Sequence, residues 1–336
     1  MPMISKELVR ALFAGKPVTR PAFIPYLAVA AAKFMQVPIR QMFSDPTALA
    51  NSLQACQRLF KYDGIVILLD TTLEAEACGC QIEWRGNESP FVASHILEGK
   101  NAESLDISSI ESKGRIPVVL EAAKRLAQTV GRDVALLGVV TGPVTLGRHL
   151  IGDDFIHMLS KDSQGSQKVL EQSAKIALAM VRAYGELEFD AIVLADSELA
   201  SLYPVYYPRI QPSLKTLRNL ANFYDMPLII LTKRIPPVPV DRFAAFMKFE
   251  ADGFSLGNYV SELKTLPLPS SKLFGRCIPK TALLGSLDDV EKTTLELLDR
   301  SMSSRFYVTS EWEIPPNTPA QNLHRVMQVV TKATVR

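Results

Sequence analysis

Eight short apolar runs alternate along the chain with longer amphipathic stretches, and this alternation limits the fold more than any other feature of the sequence. The runs are 22–26, 64–69, 134–140, 191–195, 228–231, 253–256, 272–274 and 306–309. Continuous apolar runs of this length are how strands covered on both faces read. Helical spacing occupies 46–60, 119–130, 167–187, 213–224, 240–249, 287–299 and 319–331. Asp45 reads as an N-cap with Pro46 at the first helical position, and Gly131 as a stop. Regular alternation predicts parallel strands joined by right-handed crossovers. Eight repeats in 336 residues predict an α/β fold of the closed (β/α)8 TIM-barrel type, a single domain over 1–336. The alternative is a doubly wound sheet with a helical appendage, although no G-x-G-x-x-G follows a strand. The stretch 71–114 breaks the rhythm and is expected to form an excursion after strand two, a small hairpin and short helix beside the barrel mouth. No internal repeat is visible, and PPVP at 236–239 is the stiffest segment.

The balance of charge narrows the partners. Net charge is +2 with both signs interspersed, so nothing marks a nucleic-acid face. The N-terminal stretch is too polar for a signal peptide and reads as an amphipathic helix with Leu8, Leu12 and Phe13 turned inward. No apolar run reaches the roughly 18 residues that a membrane span needs. A soluble, cytoplasmic protein is expected. Cys78 and Cys80 form a C-x-C pair, which reads either as half of a metal site or as two small residues in a strand-edge segment. No other His or Cys pair stands at ligand spacing, so no bound metal is expected.

In a parallel barrel, chemistry gathers just past the C-terminal ends of the strands. Those positions hold Tyr26 after strand one, Asp70 with Glu74 and Glu76 after strand two, and Thr145, Arg148 and His149 after strand three. They hold Asp196, Ser197 and Tyr203 after strand four, Lys233 and Arg234 after strand five, Asn258 and Tyr259 after strand six, Arg276 after strand seven and Trp312 after strand eight. Asp70 reads either as a cleft carboxylate or as the cap of the next helix. Asp196 and Ser197 read equally as mouth groups or as an N-cap pair. Arg148 and His149 read as site groups or as a solvated helix face. Lys233, Arg234 and Arg276 would make the mouth positive, suited to an anionic ligand, or are scattered surface charge.

Four segments at these positions, Asp70–Ile82 (DTTLEAEACGCQI), Gly138–Leu146 (GVVTGPVTL), Ala195–Pro204 (ADSELASLYP) and Glu311–His324 (EWEIPPNTPAQNLH), resemble the uroporphyrinogen decarboxylase superfamily in order along nearly the whole chain. The E-A-E-A-x-G-C and E-I-P-P-x-T-P-x-x-N-L stretches are more similar to the corrinoid- and coenzyme-M-linked methyltransferase branch than to the haem-pathway decarboxylases. The resemblance implies a mouth that accepts a tetrapyrrole or a corrinoid, free or on a partner corrinoid protein, together with a small-molecule substrate. It implies catalytic roles for Asp70, for Ser197, and for His149 in the place of a decarboxylase tyrosine. The R-Q-A-G-R-Y motif of the decarboxylases is absent, since Pro25–Lys33 reads PYLAVAAAK, and their late histidine is missing. The zinc-binding H-x-C of the methyltransferases is replaced by Leu231–Arg234 (LTKR), and their later cysteine by Trp312. The expected activity is zinc-independent, corrinoid-dependent methyl transfer. The alternatives are decarboxylation of a carboxylated tetrapyrrole and non-catalytic binding of a tetrapyrrole or corrinoid.

Overall fold

The computed structural model describes residues 3–86, 88–161, 164–199, 202, 204–233, 244–257, 268–299 and 305–333. Asp45 accepts the amides of Thr47 and Ala48 at 2.7 and 3.2 Å, and Pro46 opens the helix Pro46–Phe60 as the sequence predicts. Further long helices are Ile116–Thr129, Gln164–Glu186, Tyr207–Phe223, Leu287–Leu297 and Ala320–Lys332. Ile116–Thr129 and Tyr207–Phe223 begin upstream of their apolar spacing because Pro117 and Pro208 sit in the first turn, where a missing amide costs nothing. The second of these helices also runs through Pro212.

The strands are β1 (Gly64–Val66), β2 (Ile82–Glu83), β3 (Phe91–Val92), β4 (Ala135–Thr141), β5 (Ala191–Ala195), β6 (Leu228–Leu231), β7 (Gly253–Ser255), β8 (Leu273–Ile278) and β9 (Phe306–Ser310). Seven of them form one curled parallel sheet in the order β1-β4-β5-β6-β7-β8-β9. The expected first strand, 22–26, forms only isolated bridges, Phe23 to Val308 and Tyr26 to Glu313. It nevertheless touches both edges of the sheet: Ile24 N donates to Val308 O at 2.9 Å, and Asp63 N to Phe23 O at 2.8 Å. Between β1 and Ile116 the chain forms the helix Leu73–Ala77, the antiparallel pair β2–β3 and two short 3-10 turns.

Alternation along the strands divides the apolar side chains into two clusters. Leu137, Val139, Val193, Leu231 and Tyr307 face the hollow of the curl. Leu136, Val140, Ile192, Leu194, Ile230 and Phe274 face the helices. The helix Ser5–Phe13 buries Leu8, Val9, Leu12 and Phe13 against the inner cluster. Its N-cap, Ile4, has no side-chain acceptor, so burial, worth about 1.5–3 kcal/mol per large side chain, docks it rather than capping. Phe13 meets Tyr307 edge-on at 6.0 Å. No helix among the described residues is long and apolar enough to cross a membrane.

At the N-terminal rim one arrangement recurs. Asp63, Asp190 and Asp252 directly precede β1, β5 and β7. Their amides donate at 2.8 Å to the carbonyls of Phe23, Leu136 and Leu228, the residues beside them on the neighbouring segment. Their carboxylates accept the amides of those same residues at 2.9, 2.8 and 2.9 Å. Each carboxylate also takes a basic partner: Arg20, in two bonds at 2.8 and 2.7 Å; Arg10; and Arg218 at 2.8 Å. Removing one partner of a buried ion pair costs about 3–5 kcal/mol. Asp63→Ala should therefore lower the stability read from urea unfolding by about that amount. A loss below about 1 kcal/mol, the range of a surface pair, would show that Asp63 does not secure the segment 22–26.

Candidate functional site

β1, β4, β5, β6 and β9 bring their C-terminal ends to one rim, where most of the expected site residues stand. Asp70 is buried, contrary to the expectation of an open cleft carboxylate. Its Oδ2 takes Nη1 of Arg115 at 2.7 Å, and its Oδ1 takes the Thr72 amide and hydroxyl at 2.9 and 2.7 Å. Arg115 also donates to Glu76 at 2.6 Å and lies 5.1 Å from the Trp84 ring. Glu76 is thus an ion-pair partner of this arginine. Sequence reasoning missed Arg115 because it arrives from the start of a helix 45 residues downstream, with no local signal. Glu74 is buried and binds the Thr141 amide at 2.9 Å and the Thr141 hydroxyl; burial pushes its carboxyl up to about 7.

Asp196 resolves the function-or-cap question in an unexpected way: it caps the helix after β4, not the one that follows itself. Gly142 is the N-cap of Pro143–Ile151 and has no side chain to offer. Asp196 supplies the acceptors from across the strands, taking Val144 N at 3.1 Å, Thr145 N at 3.0 Å and the Thr145 hydroxyl at 2.8 Å. A Cβ on residue 142 would come within 2.3 Å of Asp196, so only glycine fits. Both Asp196 and Thr145 are spent on this cap, and burial pushes Asp196 up to about 6. Ser197 lies 3.3 Å from both the Thr145 hydroxyl and Glu198. Arg148 is held by Glu198 at 2.7 Å and Asp153 at 2.8 Å.

His149 is half-buried, 3.4 Å from the Thr71 hydroxyl, and its loss of hydration pushes the ring down to about 4. Lys233 lies over the Trp312 ring at 5.4 Å. Beside them stands Glu313, which the strand-end reading passed over although it falls within the E-W-E-I-P-P stretch. Burial pushes it up to about 8. Asp70 and Lys233 act on both His149 and Glu313, the carboxylate raising and the ammonium lowering each, so the four groups share one electrostatic centre. Tyr26 lies deeper, fully buried, with its hydroxyl 3.5 Å from that of Tyr307 and its phenol pushed up to about 12 by burial.

Arg276 does not belong to the rim. β8 runs past Phe274, which puts Arg276 inside the strand and on its outer face. There it donates to the Asp299 carbonyl at 2.7 Å and stacks on Phe306 at 3.4 Å. Tyr203, Arg234, Asn258, Tyr259 and the PPVP segment lie outside the described residues. The positions where the resemblance implies zinc donors do not fit a zinc-thiolate site. β6 ends Leu231-Thr232-Lys233, Trp312 follows β9, and among the described residues no three His, Cys, Asp or Glu side chains are grouped to hold a metal. Cys78 and Cys80 are buried behind the rim, and burial raises both thiols. A hollow of about 780 Å³ beside the rim is lined by Val29, Lys33, Arg85, Glu88 and Pro316 among others. A larger one of about 1320 Å³ opens at the opposite end, among Arg10, Asp190, Arg218 and Asp252. Arg10 pairs there with Asp190 and Arg218 with Asp252, so the rim, where the polar groups past the strand ends converge, is the better candidate.

Two measurements test these assignments. Asp70→Asn should cost about 1–3 kcal/mol by leaving the buried Arg115 with Glu76 as its remaining charge partner. A change under about 0.5 kcal/mol would return Asp70 to the class of open mouth carboxylates. Asp196 has a folded pKa raised from 3.8 to about 6, so the folded state binds its proton more tightly than the unfolded state does. Its stabilising contribution is present below about pH 4 and is lost as pH rises through about 6. Wild type measured against Asp196→Asn should lose roughly 2–3 kcal/mol over that window, and a flat difference would contradict the burial argument.

The family model described as uroporphyrinogen decarboxylase (URO-D) matches residues 4–333. The methylcobamide:CoM methyltransferase MtaA of Methanosarcina barkeri is 28% identical over 200 residues, 57% of this chain and 58% of the relative. MtbA of Methanosarcina acetivorans is 25% identical over 196 residues, 57% of each. The chain thus spans little more than half the length of these two relatives. The uroporphyrinogen decarboxylase of Novosphingobium aromaticivorans is 20% identical over 292 residues, 81% of each. Among solved structures, a methyltransferase from Methanosarcina mazei superposes with a TM-score of 0.86 over 98% of this chain and 99% of its own, at 20% identity, which establishes the shared fold.

Proposed function

Because the chain belongs to the uroporphyrinogen decarboxylase (URO-D) family, we propose that it is an enzyme that moves a methyl group between a corrinoid and a small molecule without zinc-thiolate chemistry. In this reading residues 1–336 act as one cytoplasmic domain, the segment 22–26 closes the sheet as the eighth strand of a (β/α)8 barrel, and 71–114 is an excursion beside its mouth. The corrinoid arrives free or on a partner corrinoid protein; no bound metal, nucleic acid or membrane takes part.

The observation that carries the proposal is the charge balance of the rim. Arg115 is neutralised by Asp70 and Glu76, and Arg148 by Asp153 and Glu198. Arg276 faces away. Lys233 lies over Trp312 and shares its field with the half-buried Glu313. Among the described rim residues Arg115 and Arg148 are already neutralised, so a tetrapyrrole carrying many carboxylates would find little positive charge beyond Lys233. A corrinoid, whose rim is largely amide, needs no such charge. This weighs against the decarboxylase alternative. Buried polar groups are costly to keep without a role, which weighs against a non-catalytic module. Asp70 and Arg115 shape the pocket, His149 and Ser197 orient the small molecule, and Lys233 holds its anionic end.

Incubation with methylcob(III)alamin and a panel of thiol, alcohol and amine acceptors should change the cobalt spectrum, and a zinc chelator should leave the rate unaltered. Lys233→Met should weaken turnover of a carboxylate-bearing acceptor by about tenfold, the worth of one partly desolvated charge contact. A cobalt spectrum that no acceptor changes, with coproporphyrinogen accumulating from uroporphyrinogen instead, would replace this reading by the decarboxylase one.

A further inference from the structure

β9 ends at Ser310, and the chain then passes along the end of the segment 22–26. Tyr26 and Glu313 form a parallel bridge, and Ile314 N donates to Tyr26 O at 2.9 Å. Glu313 is therefore fixed by backbone on both sides. Its carboxyl turns into the rim. One oxygen, Oε2, accepts the Ser89 hydroxyl at 2.9 Å, from the turn between β2 and β3. The other, Oε1, is buried with no hydrogen-bond partner among the described residues. A buried carboxyl oxygen left unpaired costs on the order of 1–3 kcal/mol, so a role that fills it is worth seeking.

The other acids of the rim are committed. Asp70 holds Arg115 and Thr72, Glu74 holds Thr141, and Asp196 holds the cap of Pro143–Ile151. Glu313 alone of these four offers a buried oxygen that no partner takes. The groups that act on it are Asp70 from the end of β1, Lys233 from the end of β6, Ser89 from the hairpin and the Val29 amide; His149 shares the fields of Asp70 and Lys233. Burial dominates among them and keeps Glu313 a carboxylic acid at neutral pH, with its carboxyl pushed up to about 8, while His149 is neutral.

We propose that Glu313 is the general acid of the rim, and that the small molecule is a methyl donor whose leaving atom must take up a proton, as the oxygen of a methyl ether must; an aryl methyl ether is the probe. This rests on the methyl-transfer reading and fixes its direction. The C–O bond of the ether breaks with its electron pair kept by oxygen. The methyl carbon bonds to the electron pair of a cob(I)alamin co-substrate, and the oxygen takes the proton from Oε1. The products are a phenol, a methylated corrinoid and the Glu313 carboxylate, which solvent reprotonates. A positioned acid of this kind contributes about 10²–10⁴-fold to a rate.

The test compares two donors with cob(I)alamin reduced in place: 4-methoxybenzoate, whose oxygen needs the proton, and trimethylsulfonium, which leaves as a neutral thioether and needs none. Glu313→Gln should slow the ether reaction at least about 100-fold more than the sulfonium reaction. The infrared absorption of protonated carboxyls at about pH 7.5 should lose one component in the same variant, the remainder belonging to Glu74. Ser89→Ala removes a hydrogen bond that favours the carboxylate, so the alkaline limb of the ether reaction should move upward in pH. Equal loss with both donors, loss with neither, or an unmoved limb in Ser89→Ala would overturn the acid role and leave methyl transfer standing. A wild type inert towards both donors would overturn the ether donor and the acid role with it, and methyl transfer itself would fall only if methylcob(III)alamin also stayed unchanged with every acceptor.

Discussion

A carboxylate that accepts the amide of the residue beside it on the next segment, while its own amide donates back, holds the N-terminal rim of this sheet together. At Asp63 that exchange matters most. The segment 22–26 makes no continuous ladder, so Asp63 and Arg20 supply much of what aligns it with β1. A slip of one residue there would turn Tyr26 from the inner to the outer face. Because Glu313 is bridged to Tyr26, the slip would also displace the acid at the opposite rim. Geometry at the end that carries the candidate site is thus set partly from the end that does not.

The two rims use charge differently. At the N-terminal rim each buried carboxylate has an arginine and an amide, an arrangement in which ions stabilise because their partners are complete. At the C-terminal rim three carboxyls are pushed upward by burial: Asp196 to about 6, Glu74 to about 7 and Glu313 to about 8. All three oppose folding as pH rises through those values. Such a cost, gathered at one end of a parallel sheet, is the pattern expected where groups are arranged for binding or proton transfer.

The sheet was legible in the sequence because strands buried on both faces must be apolar throughout: β5 and β6 fall where the runs predict them. Pro46–Phe60 was legible from its cap. The segment 22–26 was recognised as extended but not as lacking a ladder, since its pairing depends on a side chain 40 residues away. In the site, the polar positions after each strand were found, but not which of them are already engaged. Asp196 looked the same in sequence whether it capped its own helix or another one, and only the contact with Gly142 tells them apart. Arg115 left no trace because ion-pair partners far apart in the chain obey no local spacing. The recurring Asp63, Asp190 and Asp252 had a signal, an aspartate and a small residue opening an apolar run, which is easily lost among ordinary turn residues.

The docking of the first helix against the last strand has a consequence for synthesis. Phe13 packs on Tyr307, and the Phe13 carbonyl accepts from Arg305 at 2.6 Å. The helix Ser5–Phe13 also packs on β1 and β4, so the part of its apolar face that waits for β9 is Phe13, 292 residues before Arg305. Contacts of such long sequence separation form slowly, because loop closure precedes any gain from burial. Until then Phe13 remains available to other nascent chains. The interval between emergence of the helix Ser5–Phe13 and arrival of β9 is thus one in which an aromatic side chain stays open to intermolecular contact.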